Sequence, residues 1–262
     1  MLPRSLFHRS QSLALAAYKT IARSGLLSNR GGRATLAWAY LAYKRWFEAN
    51  NVQALRGFVR PGSTVVDVGA NIGFFTIQFA RWAGRNGSVL AIEPELQNLE
   101  TLRRRVSREQ GSARIEMIEG AATEIDAPVF LVVNPVHPGD HRLGTGGVAI
   151  NGYAIDNVLT ARGLADVSLI KIDVQGAEFR ALKGAEKTLR SARPTLFIEI
   201  DDSALAEAGS SAEEVCDYLS ALGYQPFAYD QTWQPLTSLR DDSERRKQRG
   251  YADYLFRPRK QP

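Results

Sequence analysis

The sequence predicts an α/β fold built on a mostly parallel sheet, and three observations carry that prediction. Val65 to Val68 is a short apolar run broken by one acid, Asp67, and followed by two glycines four apart, Gly69 and Gly73. Phe75, Phe79 and Trp82 then fall at i, i+4 and i+7, the spacing of one helix face. Strand, tight glycine turn and helix in that order form the first unit of a parallel sheet. The same rhythm recurs: Ser88–Ile92, Ile115–Ile118, Val167–Asp173 and Thr195–Ile200 are short apolar runs, most of them followed by helix-periodic stretches. Last, Gln225–Tyr229 and Tyr251–Phe256 read as an antiparallel pair that closes the sheet.

At 262 residues the chain is long enough for one large α/β domain with an appendage. Cys216 is the single cysteine, which excludes an internal disulfide and a cysteine-rich metal site. Three histidines, His8, His137 and His141, make a histidine-based zinc site a poor expectation. No run approaches the ~18 apolar residues of a spanning helix. The net charge of +5 is unevenly placed: residues 1–60 hold ten bases and one acid, Glu48, while the other 23 bases are outnumbered by 27 acids. The chain therefore divides into a basic helical N-terminal extension, 1–60, and a body, 61–262. Residues 1–33 contain no acid and leave three readings open: a solvated leader, a basic amphipathic helix on an anionic membrane surface, or an organelle presequence. The expected location is cytoplasmic, with membrane-surface association through residues 1–33 as a further reading. Residues 34–58 are aromatic-rich and helical in pattern, from Trp38 to Phe58, and are expected to pack on the body.

In chain order, Pro61-Gly62 turns into the first strand. Glu93-Pro94 ends the second strand, with Pro94 suited to a first helical position and Leu96, Leu99, Leu102 and Val106 striping the helix that follows. Pro128–Val133 is a strand, Asn134–Gly147 a long loop holding His137 and His141, and Val148–Ile155 an extended return. Long loops inside compact domains are commonly lids or binding loops. Asp156 is placed to cap the next helix. Phe179, Leu182, Ala185 and Leu189 stripe one helix after the fourth strand, and the charged stretch 240–250 reads as a solvated loop.

Asp67, Glu93 and Asp173 end three strand-like segments on one edge, where open α/β sheets bind ligands. Glu93, 20 residues beyond Gly73, stands where a carboxylate accepts both hydroxyls of a ribose. That suits a dinucleotide or an adenosyl donor. The glycine pattern separates the two: a dinucleotide turn is G-x-G-x-x-G, whereas here Phe74 stands where the third glycine belongs. Asp67 beside the turn also repels pyrophosphate and suits a ligand carrying an ammonium and a sulfonium. An NAD-dependent oxidoreductase remains the rival enzyme, and a nucleic-acid methyltransferase using the basic arm the second rival. Against the latter, Asp173-Val174-Gln175-Gly176 is not the [DNS]-P-P-[YFW] strand end of exocyclic-amine methylation, and Cys216 follows Val215, not a proline.

Asp67-Val68-Gly69-Ala70-Asn71-Ile72-Gly73, Ile92-Glu93-Pro94 and the string Ile170-Lys171-Ile172-Asp173-Val174-Gln175-Gly176-Ala177-Glu178 resemble the FkbM-type family of class I S-adenosylmethionine-dependent methyltransferases. The likeness runs from about Pro61 to Ile200, and Gln175 stands where that family more often has Glu. The resemblance implies a Rossmann-like, mostly parallel seven-stranded sheet with a C-terminal antiparallel pair. It also implies S-adenosyl-L-methionine as cofactor, with the methionine part held by Asp67 and the turn Gly69, Ala70, Asn71, Gly73. Glu93 takes the ribose, Ala121 and Ala122 lie near the adenine, and Asp173 lies beside the methyl group. The family's acceptors are hydroxyl oxygens of sugars, glycolipids and polyketides, so the expected partner is a small-molecule, glycan or lipid-linked acceptor. An alcohol must shed a proton on methylation, which asks for a general base. Asp173 is the first candidate, Glu178 the second, and Glu199 and His141 follow. Glu178 is equally read as a first-turn helix acid favoured by the dipole. A catechol-type metal site needs an Asp-Asn pair that Asp173-Val174 does not supply, so no metal is expected.

Overall fold

The structure is a computed structural model that describes residues 49–109, 111–134 and 141–259. Residues 1–48, including the basic arm and most of the aromatic stretch, lie outside the described residues, as does His137.

Eight strands form the main sheet, in the order β11-β10-β12-β9-β8-β1-β2-β3. The parallel half comprises β1 (Thr64–Val68), β2 (Ser88–Glu93), β3 (Arg114–Glu119), β8 (Val167–Ile172) and β9 (Thr195–Ile200). The antiparallel half comprises β12 (Ala252–Pro258), β10 (Tyr224–Asp230) and β11 (Thr232–Pro235). The expected seven strands are thus joined by β11, a short edge strand that folds back on β10 through Gln231, whose φ is 64°. Alternate residues feed two cores, as the period of a strand requires. Val66, Val68, Ile170, Ile172 and Ile198 pack on one side with Leu182, Leu189, Val215 and Leu219. Val65, Val89, Leu169 and Phe197 pack on the other with Phe75 and Phe79 of α2 (Phe74–Ala83). Val52 and Leu55 of α1 (Ala49–Leu55) join that second core, so the end of the extension is packed on the body.

The stretch between β3 and β8 departs most from the expected pattern. It forms a second sheet, β4 (Ala121–Ala122), β7 (Val148–Tyr153), β5 (Ala127–Val132) and β6 (Arg142–Gly144), in the order β4-β7-β5-β6. What reads as one long loop therefore contains a strand, β6, paired antiparallel with β5 through Leu131 and Leu143. Asp156 does not cap its own helix, α4 (Ile155–Ala161), whose N-terminus has no side-chain cap. It accepts instead from the backbone N–H groups of Lys187 and Thr188 in α6 (Glu186–Ser191). The single helix expected after β8 is split into α5 (Glu178–Lys183) and α6 at Gly184, whose carbonyl accepts from Asp156 N–H. After β2, the cap of α3 (Leu96–Val106) is Glu95, which accepts from Asn98 N–H at 2.6 Å, and Pro94 stays outside the helix.

The charged stretch 240–250 is ordered rather than a solvated loop. A 3-10 turn, Leu239–Asp242, leads into α9 (Ser243–Arg249), and Arg246 is 5% exposed. Its guanidinium donates to Asp202 Oδ2 at 2.8 Å, Leu239 O at 2.8 Å and Tyr254 Oη at 3.0 Å. No helix among the described residues is long and apolar enough to cross a membrane. Replacing Arg246 by Met strands two buried acceptors, Leu239 O and Tyr254 Oη, and should lower the unfolding free energy by about 2–4 kcal/mol in urea denaturation. A loss under about 1 kcal/mol would show that these hydrogen bonds add little to the fold.

Candidate active site

The turn after β1 owes its shape to two left-handed glycines, Gly69 (φ 74°) and Gly73 (φ 83°), with Asn71 also left-handed at φ 49°. A Cβ on Gly69 would lie 1.9 Å from the carbonyl oxygen of Asp173, so no side chain fits there. Asn71 secures its own conformation by accepting from Ile72 N–H at 2.6 Å. The turn faces an open cleft at the carboxyl ends of β1, β2 and β8. Gly69, Ala70 and Asn71 line one part of it, Glu93 and Asn98 another, and Asp173, Val174 and Gln175 a third. Ala121 and Ala122 line it from β4. Leu131, Leu143 and His141 come from the second sheet, so the inserted segment contributes a wall.

Glu93 is 4% exposed. Its carboxylate accepts from Asn71 N–H at 2.7 Å, Glu95 N–H at 3.0 Å and Asn98 Nδ2 at 3.2 Å. Burial pushes its carboxyl up to about 7 in spite of these donors. Asp173, 23% exposed at its side chain, faces the cleft with its Oδ2 3.5 Å from the Lys171 ammonium. His141 Nδ1 accepts from Asn134 N–H at 3.1 Å, so the neutral ring carries its proton on Nε2.

Four expected site residues do not reach the cleft wall. Asp67 is fully buried on the α2 side of the sheet, because alternation sends Val66 and Val68 to the opposite face. It accepts from Thr76 Oγ1 at 2.6 Å and lies 3.4 Å from the Lys171 ammonium. Gly73 sits behind the turn, where a Cβ would meet Leu102 Cδ1 at 2.2 Å. Glu178 curls back on its own turn and accepts from Gly176 N–H at 2.9 Å and Val174 N–H at 3.2 Å. It is 2% exposed, and burial pushes its carboxyl up to about 7. Its carboxylate thereby clamps the 174–176 turn. Glu199, on β9, accepts from Gln175 Nε2 at 2.8 Å and is absent from the cleft lining.

Sequence reasoning gave no role to Lys171 or Asn98. Lys171 had a signal: a lone charge inside the mostly apolar run Val167–Ile172 demands a buried counter-charge, and Asp67 sits in a matching run. Asn98 had none, since its contact with Glu93 depends on how α3 leaves β2.

The cleft's chemistry fits an adenosyl donor. Carboxylates on two strand tips meet hydroxyls and cations, and Ile92, Ala121, Ala122, Leu131 and Leu143 offer apolar surface to a flat base. Residues 67–226 match the model of the methyltransferase FkbM domain. A curated relative, 31-O-demethyl-FK506 methyltransferase FkbM of Streptomyces tacrolimicus, is 27% identical over 160 residues, which take in 49% of this chain and 61% of the relative. Among solved structures, the methyltransferase FkbM of Methylobacillus flagellatus is similar with a TM-score of 0.43 and 19% identity, covering 92% of this chain and 58% of that one. A SAM-dependent methyltransferase of Aquifex aeolicus gives a TM-score of 0.42 and 16% identity, covering 78% and 87%. The chain thus spans less than two thirds of the length of both FkbM proteins.

The two raised carboxyls set a pH dependence of stability. A carboxyl pushed up in the fold favours the protonated form there. Its contribution is fully present below the ordinary value of 4.5 and is lost as pH rises through about 7. For each group that is on the order of 3 kcal/mol. The unfolding free energy should therefore fall between pH 4.5 and 7 more steeply than in Glu178→Gln, which keeps an acceptor for Gly176 N–H and does not titrate. Equal slopes in chemical denaturation would show that Glu178 ionises without cost.

Proposed function

The chain belongs to the FkbM methyltransferase family, whose donor is S-adenosylmethionine, and on that premise we propose that it methylates a hydroxyl oxygen of a small-molecule acceptor such as a sugar, glycolipid or polyketide-like compound. The observation that carries the reading is a pair of carboxylates, Glu93 and Asp173, lining one cleft from the tips of the strands that flank β1. Oxygen as the target is supported by the Streptomyces relative, whose name gives 31-O as the position methylated on its own substrate.

When bound, the donor supplies a methyl group already activated on a sulfonium. The protein's share is alignment, exclusion of water and custody of one proton. Glu93 takes the ribose hydroxyls, with Asn98 and the Asn71 amide holding its carboxylate in place. Ala121 and Ala122 bound the adenine space, and Gly69 to Asn71 bound the methionine space. Asp173 stands at the acceptor end as the group that orients the hydroxyl and receives its proton, an effect worth roughly 10²–10⁴ in rate. Correct alignment of oxygen against the methyl adds several kcal/mol, up to about 7–11. His141, with its proton on Nε2, is a hydrogen-bond donor from the second sheet rather than a proton acceptor.

Titration calorimetry with S-adenosylhomocysteine tests the donor site directly. Glu93→Gln should weaken binding by about 1–3 kcal/mol. Because ribose hydroxyls favour the ionised carboxylate, affinity in the native protein should rise from pH 6 to pH 8, with a proton released on binding below about 7. Both effects should vanish in the variant, and a native affinity indifferent to Glu93 would remove the ribose assignment. The acceptor class is tested by transfer of labelled methyl into glycan, lipid and small-molecule extracts. Label recovered in nucleic acid instead would overturn it.

A further inference from the structure

Lys171 stands opposite Asp67 in the register between β8 and β1. Its side chain is 3% exposed. The ammonium donates to Val68 O at 3.1 Å and Gly69 O at 2.7 Å, the carbonyls where β1 enters the glycine turn. It lies 3.4 Å from Asp67 Oδ1 and 3.5 Å from Asp173 Oδ2, and 5.3 Å from the ring centre of Phe75. Asp67, buried at the same depth and fixed by Thr76, already meets the ammonium. Asp173 is a second carboxylate on the same cation, and it is the one that faces the cleft.

We propose that Lys171 is a positioning residue for methyl transfer, holding Asp173 ionised and turned to the cleft while pinning that carboxylate to the turn that cradles the donor. The inference rests on the reading of this cleft as the donor site. An opposite charge at such a distance favours the ionised carboxylate. The titratable groups around Asp173 are Lys171 from β8, Glu93 from β2 and His141 from the second sheet, which line the cleft with it, and Asp67 from β1 and Glu178 from α5, which lie behind the wall. Glu178 is itself pushed up by the charge on Asp173, after the larger effect of burial. Lys171 therefore offsets the repulsion that Asp67 and Glu178 exert on Asp173. It also fixes the two carbonyls whose direction sets that of the amides following them.

The test is carbon-13 NMR of protein labelled at aspartate carboxyls, with the Asp173 signal assigned by its loss in Asp173→Asn. Lys171→Met should raise the titration midpoint of Asp173 by about one pH unit or more. The double variant Lys171→Met/Asp67→Asn should do the same while leaving no unpaired buried charge, which guards against a variant that fails to fold. Asp173→Asn, at a partly exposed position, reads the coupling from the other side: the Lys171 ammonium, followed through labelled lysine, should lose its proton about one unit lower. An unmoved Asp173 midpoint in a folded variant, or an unmoved Lys171 in Asp173→Asn, overturns the inference. S-adenosylhomocysteine that fails to bind the native protein overturns the donor-site reading, and the NMR titrations report on the coupling regardless.

Discussion

A cation sealed between two carboxylates is the constraint on which the site depends. Removing Lys171 and Asp67 from water is costly unless each finds the other, and the parallel register of β1 and β8 sets them side by side. A slip of one residue would send Asp67 to the opposite face, into the cluster built from Val66, Val68, Ile170 and Ile172. Charge pairing and apolar alternation thus specify the same alignment. The same alignment brings the Asp173 backbone against Gly69, where only hydrogen fits. The geometry of the turn, the register of the central strands and the direction of the cleft-facing carboxylate follow from one contact.

The central strands and the turn between β1 and α2 were legible in the sequence. They consist of apolar runs long enough to be recognised, punctuated by glycines whose positive φ is required. The closing pair, β10 and β12, was legible for the same reason. The second sheet was legible in part: β5 and β7 fall where a strand and an extended return were read, whereas β4 has two residues and β6 three, too few for length or alternation to mark. Helix α9 was hidden by its charge, since Ser243–Arg249 contains no apolar stripe. Its anchor, Arg246, is defined by Asp202 and Tyr254, partners that no local pattern reveals.

The site was legible in part. Glu93 and Asp173 stand in the cleft as their strand-end positions suggested, and so do Gly69 to Asn71, Ala121, Ala122 and His141. Asp67 and Glu178 were read as cleft groups because they are acids beside a ligand-binding turn. Both are instead supports, one beneath the sheet and one folded onto backbone amides. Which way an acid points depends on which partner captures it, and a one-dimensional pattern does not carry that choice. Lys171 is the instructive omission: a charge in a buried strand is itself evidence of a partner elsewhere.

The wall supplied by Leu131, Leu143 and His141 belongs to an excursion between β3 and β8 with a hydrogen-bonding pattern of its own. None of the buried charges beneath the glycine turn lies in it. Mutational drift in that excursion can accordingly reshape one side of the chamber while the ionic footing opposite stays untouched.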